Sequence, residues 1–248
     1  MFAKDWICGK ITAPDRMRGE MKRNVSLAEI SDGRLYGEND MVRADCHGCR
    51  GCFQCCVGMG KSVILDPYDV YMLESGTGKK LSQLLSEGYV ELNVVDGIIL
   101  PNLRMAGAKE RCVFLNSEGR CGIHGSRPGI CRLFPLGRYY ENGDYRYFLQ
   151  VGECRESARS KVKVCKWIDT PDQAKYHEFV CQWHYFLNDL EELVAGSPDS
   201  ETAKQINLLL LQSFFMTSYS ENGEFYKQFK ERMDGYGRIL LDMRGNLT

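Results

Sequence analysis

The chain has 248 residues, 44% hydrophobic and 26% charged, the balance of a folded protein with room for one domain plus appendages or two small domains. Its formal net charge is −1, so no field of one sign is available to hold a phosphate backbone, and nucleic acid is not an expected partner. Twelve cysteines are the one anomaly of the composition.

In chain order, residues 1 to about 40 are polar and rich in Gly, Asp and Arg, and read as an N-terminal arm. The opening MFAKDWICGK lacks the apolar core of about 7–15 residues that a secretory signal carries. No stretch reaches the roughly 18 apolar residues of a membrane span, and the richest, Ile206 to Met216, contains Asn207 and Gln212. The expected setting is therefore cytoplasmic and reducing, with no membrane partner. There, clustered cysteines bind metal or do catalysis more often than they pair.

Next comes CHGCRGCFQCC, residues 46–56, too crowded with turns and candidate ligands for regular structure. Val63–Leu65 reads as a short strand. Asp66 then serves as N-cap, with Pro67 at the first helical position and Asp69 at the third, for a helix ending near Gly76. A second short helix runs from about Lys79 to Gly88. Three hairpin signals follow. Glu91–Val95 and Ile98–Leu103 flank Asp96-Gly97; Cys112–Leu115 and Arg120–Ile123 flank residues 116–119; Arg138–Tyr140 and Tyr145–Leu149 flank residues 141–144. From Thr170 the pattern turns helical. Thr170 reads as the cap, Pro171 as the first turn and Gln173 as the partner of a capping box. Apolar residues recur at Tyr176, Phe179, Val180, Trp183, Leu187, Leu190 and Val194, one buried face of a helix. Another helix spans roughly residues 198–218, and one or two more complete the chain. The expected fold class is α+β: an irregular cysteine-cluster core with short hairpins at 41–168, between the arm (1–40) and a helical C-terminal region (169–248).

Cys46, Cys49, Cys52 and Cys55 follow one another at C-x2-C spacing, with Cys56 adjacent. A two-residue gap lets the chain curl so that both sulfurs reach one metal. Zinc knuckles use one such pair and then a distant second, whereas several in a row are more typical of iron–sulfur chains. Cys46-x2-Cys49-x2-Cys52-x3-Cys56 has the bacterial ferredoxin spacing, although Val57 replaces the usual proline. Five thiols in eleven residues, interleaved with Gly48, Arg50, Gly51 and Gln54, do not read as a buried core segment. Neighbouring side chains diverge in extended backbone, so Cys55 and Cys56 suit two centres better than one. Cys112, Cys121, Cys131 and Cys154 fall at turns or element ends, where ligands are commonly presented.

These residues carry a resemblance. CRGCFQCC (Cys49 to Cys56), the segment Leu65-Asp66-Pro67-Tyr68-Asp69-Val70, the block RCVFLNSEGRCGIHGSRPGICRLFP and the later Cys154 together resemble the CxxCxxCC (YkgJ-type) cysteine cluster family, over roughly residues 46–168. The resemblance implies a zinc- or iron-chelating domain with Cys49, Cys52, Cys55, Cys56, Cys112, Cys121, Cys131 and Cys154 as ligands. Eight thiolates suit two four-ligand centres or one larger cluster, and Arg127 and Arg132 would offset their charge. Cys46 is an extra cysteine before the motif, and His124 stands where the family often has tyrosine; both leave the ligand set open.

The leading expectation is a metal-binding protein holding iron–sulfur clusters, 4Fe–4S before others, or zinc, with a protein partner or electron carrier still to be named. The resemblance extends distantly to flagellin lysine N-methylases, which keeps an S-adenosylmethionine-dependent enzyme as an alternative, although no glycine-rich nucleotide loop follows a strand. A thiol redox sensor using Cys55 and Cys56 is a third reading. Whether the chain is an enzyme is left open. His177, Cys181 and His184 stack along one helix stripe, which could hold a transition metal but more often marks solvated residues. Cys8, Cys165 and Cys181 read as isolated non-ligands.

Overall fold

The computed structural model describes residues 26–46, 52–156, 158–197, 199–221 and 223–245, and within them short antiparallel strand pairs come first and long helices last. This is the α+β arrangement that the sequence pattern predicts. A single turn of helix, α1 (Leu27–Ile30), is capped by Ser26. Residues 31–36 then run beside the later strand β7, with Tyr36 and Tyr147 exchanging backbone hydrogen bonds at 2.7 and 2.9 Å. Strand β1 (Met41–Asp45) follows, and after it a 3-10 turn at Gln54–Cys56.

Helix α2 (Pro67–Thr77) starts as its sequence dictates. The Asp66 carboxylate accepts the Asp69 N–H at 2.8 Å, and Asp69 accepts the Asp66 N–H at 3.2 Å. The helix runs past Gly76 and closes on Gly78, whose left-handed backbone provides the C-terminal cap. Helix α3 (Leu81–Ser86) leads into the hairpin β2 (Val90–Val95) and β3 (Ile98–Leu103), turned by Asp96-Gly97 with both φ angles positive. Val63–Leu65 does not form a separate strand. Through Ile64 it bridges Asn102 and lies along the edge of that hairpin.

The second expected hairpin is only partly formed. The turn at 116–119 closes, with Asn116 accepting amide hydrogens from Glu118 and Arg120 on its side chain. Pairing stops at Leu115 and Cys121, and β5 (Arg111–Cys112) takes β4 (Met105–Ala106) as its partner instead. Beyond a 3-10 turn at His124–Ser126 lies the short helix α4 (Gly129–Leu133). The third hairpin forms as expected, β6 (Leu136–Glu141) with β7 (Asp144–Leu149). Strand β8 (Ser160–Lys163) returns to pair with β1, and α5 (Val164–Ile168) continues from it.

Helix α6 (Gln173–Ala195) begins two residues later than the capping box at Thr170 suggests. Asp172, in the left-handed region, is the cap, and Gln173 donates to the Cys165 carbonyl rather than back to a cap. Its apolar face carries Phe179 and Trp183 into an aromatic core. Phe179 packs on Phe229 at 4.8 Å and Trp183 on Phe214 at 5.3 Å between ring centroids. Helix α7 (Ser200–Leu211), a π-turn (Gln212–Met216) and α8 (Phe225–Gly245) supply the rest of this layer. Asn207 docks α7 on the β2–β3 turn, accepting from Ile99 N–H and donating to the Gly97 carbonyl. One apolar cluster runs from Val42 and Leu65 through Leu136 to Phe214 and Phe229, so the helices and the strand pairs share a core.

Arg132 is the main polar fastener within that core. It is buried, and its guanidinium donates to the carbonyls of Arg127, Gly125 and Asp169 at 2.9–3.1 Å. Its donors are spent on backbone, so Arg132 makes no direct hydrogen bond to a thiol with them. Replacing Arg132 with methionine removes three charge-assisted bonds and strands three carbonyls. The expected loss is about 3 kcal/mol, a fall of about 6–12 °C in the thermal midpoint. A midpoint unchanged in a thermal melt would show that these bonds contribute little.

Candidate metal centre

The cysteines fall into two groups, each assembled by a distinct piece of backbone. The first group forms where the 3-10 turn meets β5. Val57 bridges Arg111 and Gly58 N–H donates to the Glu110 carbonyl at 2.9 Å, which lays Cys55 and Cys56 beside Cys112. The Leu115–Cys121 bridge folds Cys121 back onto the same side. Gly119 permits this fold: its φ is +73°, and a Cβ there would lie 2.9 Å from the Phe53 ring. Helix α4 brings Cys131, and its start is fixed by the Gly129 N–H donating to the buried Asp69 carboxyl at 2.7 Å.

The thiols of this group sense one another. Cys56 donates to Cys55, which pulls Cys55 below the usual thiol range and pushes Cys56 up, with burial and the charges of Cys55, Cys112 and Cys121 adding to the rise. Burial raises Cys112, Cys121 and Cys131, and neighbouring thiolates raise each further. Arg127 opposes this, lowering Cys55 and Cys121.

The second group forms around the β1–β8 pair. Asp45 lies opposite Ser160, whose hydroxyl donates to the Asp45 carboxylate at 2.9 Å, so the end of β1 meets the segment that follows β7. Cys46, Cys52, Cys55 and Cys154 line a shallow cleft, with Phe134 and Pro135 as its apolar wall. Burial raises Cys154, Arg159 opposes the rise, and Cys46 and Cys52 add to it. Cys46, the cysteine outside the motif, is thus a full member of the group. Cys49 and Cys8 lie outside the described residues.

Both groups have the chemistry that a thiophilic metal requires. Several thiols are held together in each, and a cation among them stabilises their thiolate forms. Each group also has one guanidinium nearby. Arg127 serves the first, and Arg159 the second, where its Nη1 is buried without a hydrogen-bond partner among the described residues. An orphaned buried donor beside thiols suits an anionic metal–sulfur centre. Arg159 is not picked out in the sequence, although it stands five residues after Cys154. His124 belongs to neither group. Arginine can only donate, so its Nη1 contact at 2.8 Å makes His124 Nε2 an acceptor, and burial with nearby arginines keeps the ring neutral.

Residues 48–166, just under half of the chain, match the family model CxxCxxCC, described as a "putative zinc- or iron-chelating domain". Residues 48–166 are similar to the CxxCxxCC domain. No curated protein and no solved structure matches it. Every cysteine of the two groups except Cys46 falls inside the CxxCxxCC range, and helices α6–α8 follow it. The zinc- or iron-chelating role of the CxxCxxCC domain accords with a donor set made almost wholly of sulfur. None of the helices is long and apolar enough to cross a membrane, among the described residues.

Proposed function

We propose that the domain holds two four-cysteine metal centres, 4Fe–4S clusters with zinc as the alternative occupant. Cys56, Cys112, Cys121 and Cys131 serve the first. Cys46, Cys52 and Cys154 serve the second, with Cys49 as the fourth donor that the C-x2-C spacing suggests, and Cys55 stands between the two groups, on the second cleft and beside Cys56 and Cys112. The observation that carries this reading is the sorting of the thiols: Cys46 and Cys52 line a cleft with Cys154, whereas Cys56 faces Cys112 and Cys121. In two-cluster ferredoxins, the run C-x2-C-x2-C-x3-C sends its fourth cysteine to the other cluster, the same division. That parallel favours iron–sulfur over zinc.

When bound, such clusters supply one-electron transfer, and the chain's own residues set its terms. Arg127 and Arg159 hold positive charge beside the two thiolate groups, which favours the reduced, more negative state. Phe134 and Pro135 keep water from one side of the second cleft. The proposed partner is an electron-carrying protein in a reducing compartment. Anaerobic purification tests the choice of metal. A brown protein absorbing near 400 nm is expected; a colourless protein with stoichiometric zinc would reject the iron–sulfur reading.

A further inference from the structure

Asp144, His177 and Cys181 form a third cluster, separate from the cysteine groups. Their ligand atoms lie within 4.8 Å of one another. His177 Nε2 is 2.6 Å from Asp144 Oδ1, and Cys181 Sγ is 3.8 Å from the same oxygen. A tetrahedral ion with bonds of 2.0–2.3 Å sets its donors about 3.3–3.8 Å apart, so small side-chain shifts suffice to admit one.

The surroundings are those of a prepared ligand set. His177 turns its other nitrogen, Nδ1, to Glu38 at 3.0 Å, the carboxylate–histidine pairing that orients a metal-binding imidazole. Tyr145 stacks on the His177 ring at 4.3 Å and 16°, holding its plane. Tyr185 fixes the turn that bears Asp144: its hydroxyl accepts the Gly143 N–H at 3.0 Å and donates to the Asp144 carbonyl at 3.3 Å. His177 and Cys181 stand one turn apart on α6 and so share a face. His184, the third member of that stripe, takes no part; its ring stacks on Tyr140 at 3.6 Å.

We infer that Asp144, His177 and Cys181 bind a zinc-type divalent ion that ties α6 to the β6–β7 hairpin. One imidazole, one thiolate and one carboxylate make a mixed N/S/O set that suits zinc and not a hard cation such as calcium. Three protein ligands at a half-exposed position leave the fourth to water, the arrangement of an accessible rather than a closed zinc site. Cys181, read from the sequence as an isolated non-ligand, becomes the anchoring thiolate. The inference is independent of the two cysteine centres.

Alkylation of Cys181 tests it on the full-length protein. Trypsin releases residues 176–204, in which Cys181 is the one cysteine, so mass spectrometry reads its modification without interference from the others. After a chelator wash, added zinc is expected to slow iodoacetamide labelling of Cys181 at least tenfold, and further chelator to restore it. His177→Gln and Asp144→Asn are expected to abolish this protection while leaving metal at the cysteine centres unchanged. Labelling unaffected by zinc would overturn the inference, as would protection that persists in both variants, since the ion would then act from elsewhere.

Discussion

Removing the metal is expected to open the cysteine-bearing segments while α6 and α7 stay folded. The segments 52–58 and 111–133 contain little that stands alone: two 3-10 turns, a two-residue strand pair, isolated bridges and the five-residue helix α4. Structural metal supplies on the order of 10–16 kcal/mol in small zinc domains, far more than such short pairings. The helical layer has its own support in the aromatic packing of Phe179, Trp183, Phe214 and Phe229. Hydrogen exchange read by mass spectrometry checks this. Chelation should cost the cysteine segments about 100-fold in protection, about 2.7 kcal/mol, with α6 and α7 changing little. Equal loss everywhere would show that the shared core unfolds as one unit, and no loss anywhere would remove metal from the folding account.

The second large effect concerns the division of the thiols. Cys131→Ala should abolish one centre and Cys154→Ala the other, each lowering bound metal to about half, and the pair together should leave almost none. The two residues reach their groups from different elements, α4 and the segment after β7, with Cys55 the thiol between them. Metal analysis of the three variants reads the outcome. If either single change empties the protein, the thiols serve one shared cluster.

The sequence is legible where a local rule decides the structure. Asp96-Gly97 needs two positive φ angles and makes its hairpin; Asp66 with Pro67 and Asp69 makes a capping box; the apolar recurrence from Tyr176 to Leu190 makes α6. It is less legible where distant residues compete. Cys112 pairs with Met105 rather than across the 116–119 turn, because the turn's ladder ends at Cys121. The donors of Arg132 go to three carbonyls, two from the loop 125–127 and one from Asp169, while Arg159 directly precedes β8, whose pairing with β1 joins residues more than a hundred positions apart. The eight motif cysteines and Cys46 stand out in the spacing and the resemblance. Which of them meet, among the described residues, is not legible there, since it depends on how four separate segments cross. Asp144 is the residue beside His177 and Cys181 that no helix periodicity could supply, because it comes from a hairpin turn.

Native mass spectrometry of the anaerobically purified chain tests the central claim most directly. The mass in excess of the polypeptide should correspond to two metal–sulfur clusters, or to two zinc ions at the cysteine groups, with Cys131→Ala lacking one and Cys154→Ala the other. A chain carrying a single centre that both variants lose together would contradict it.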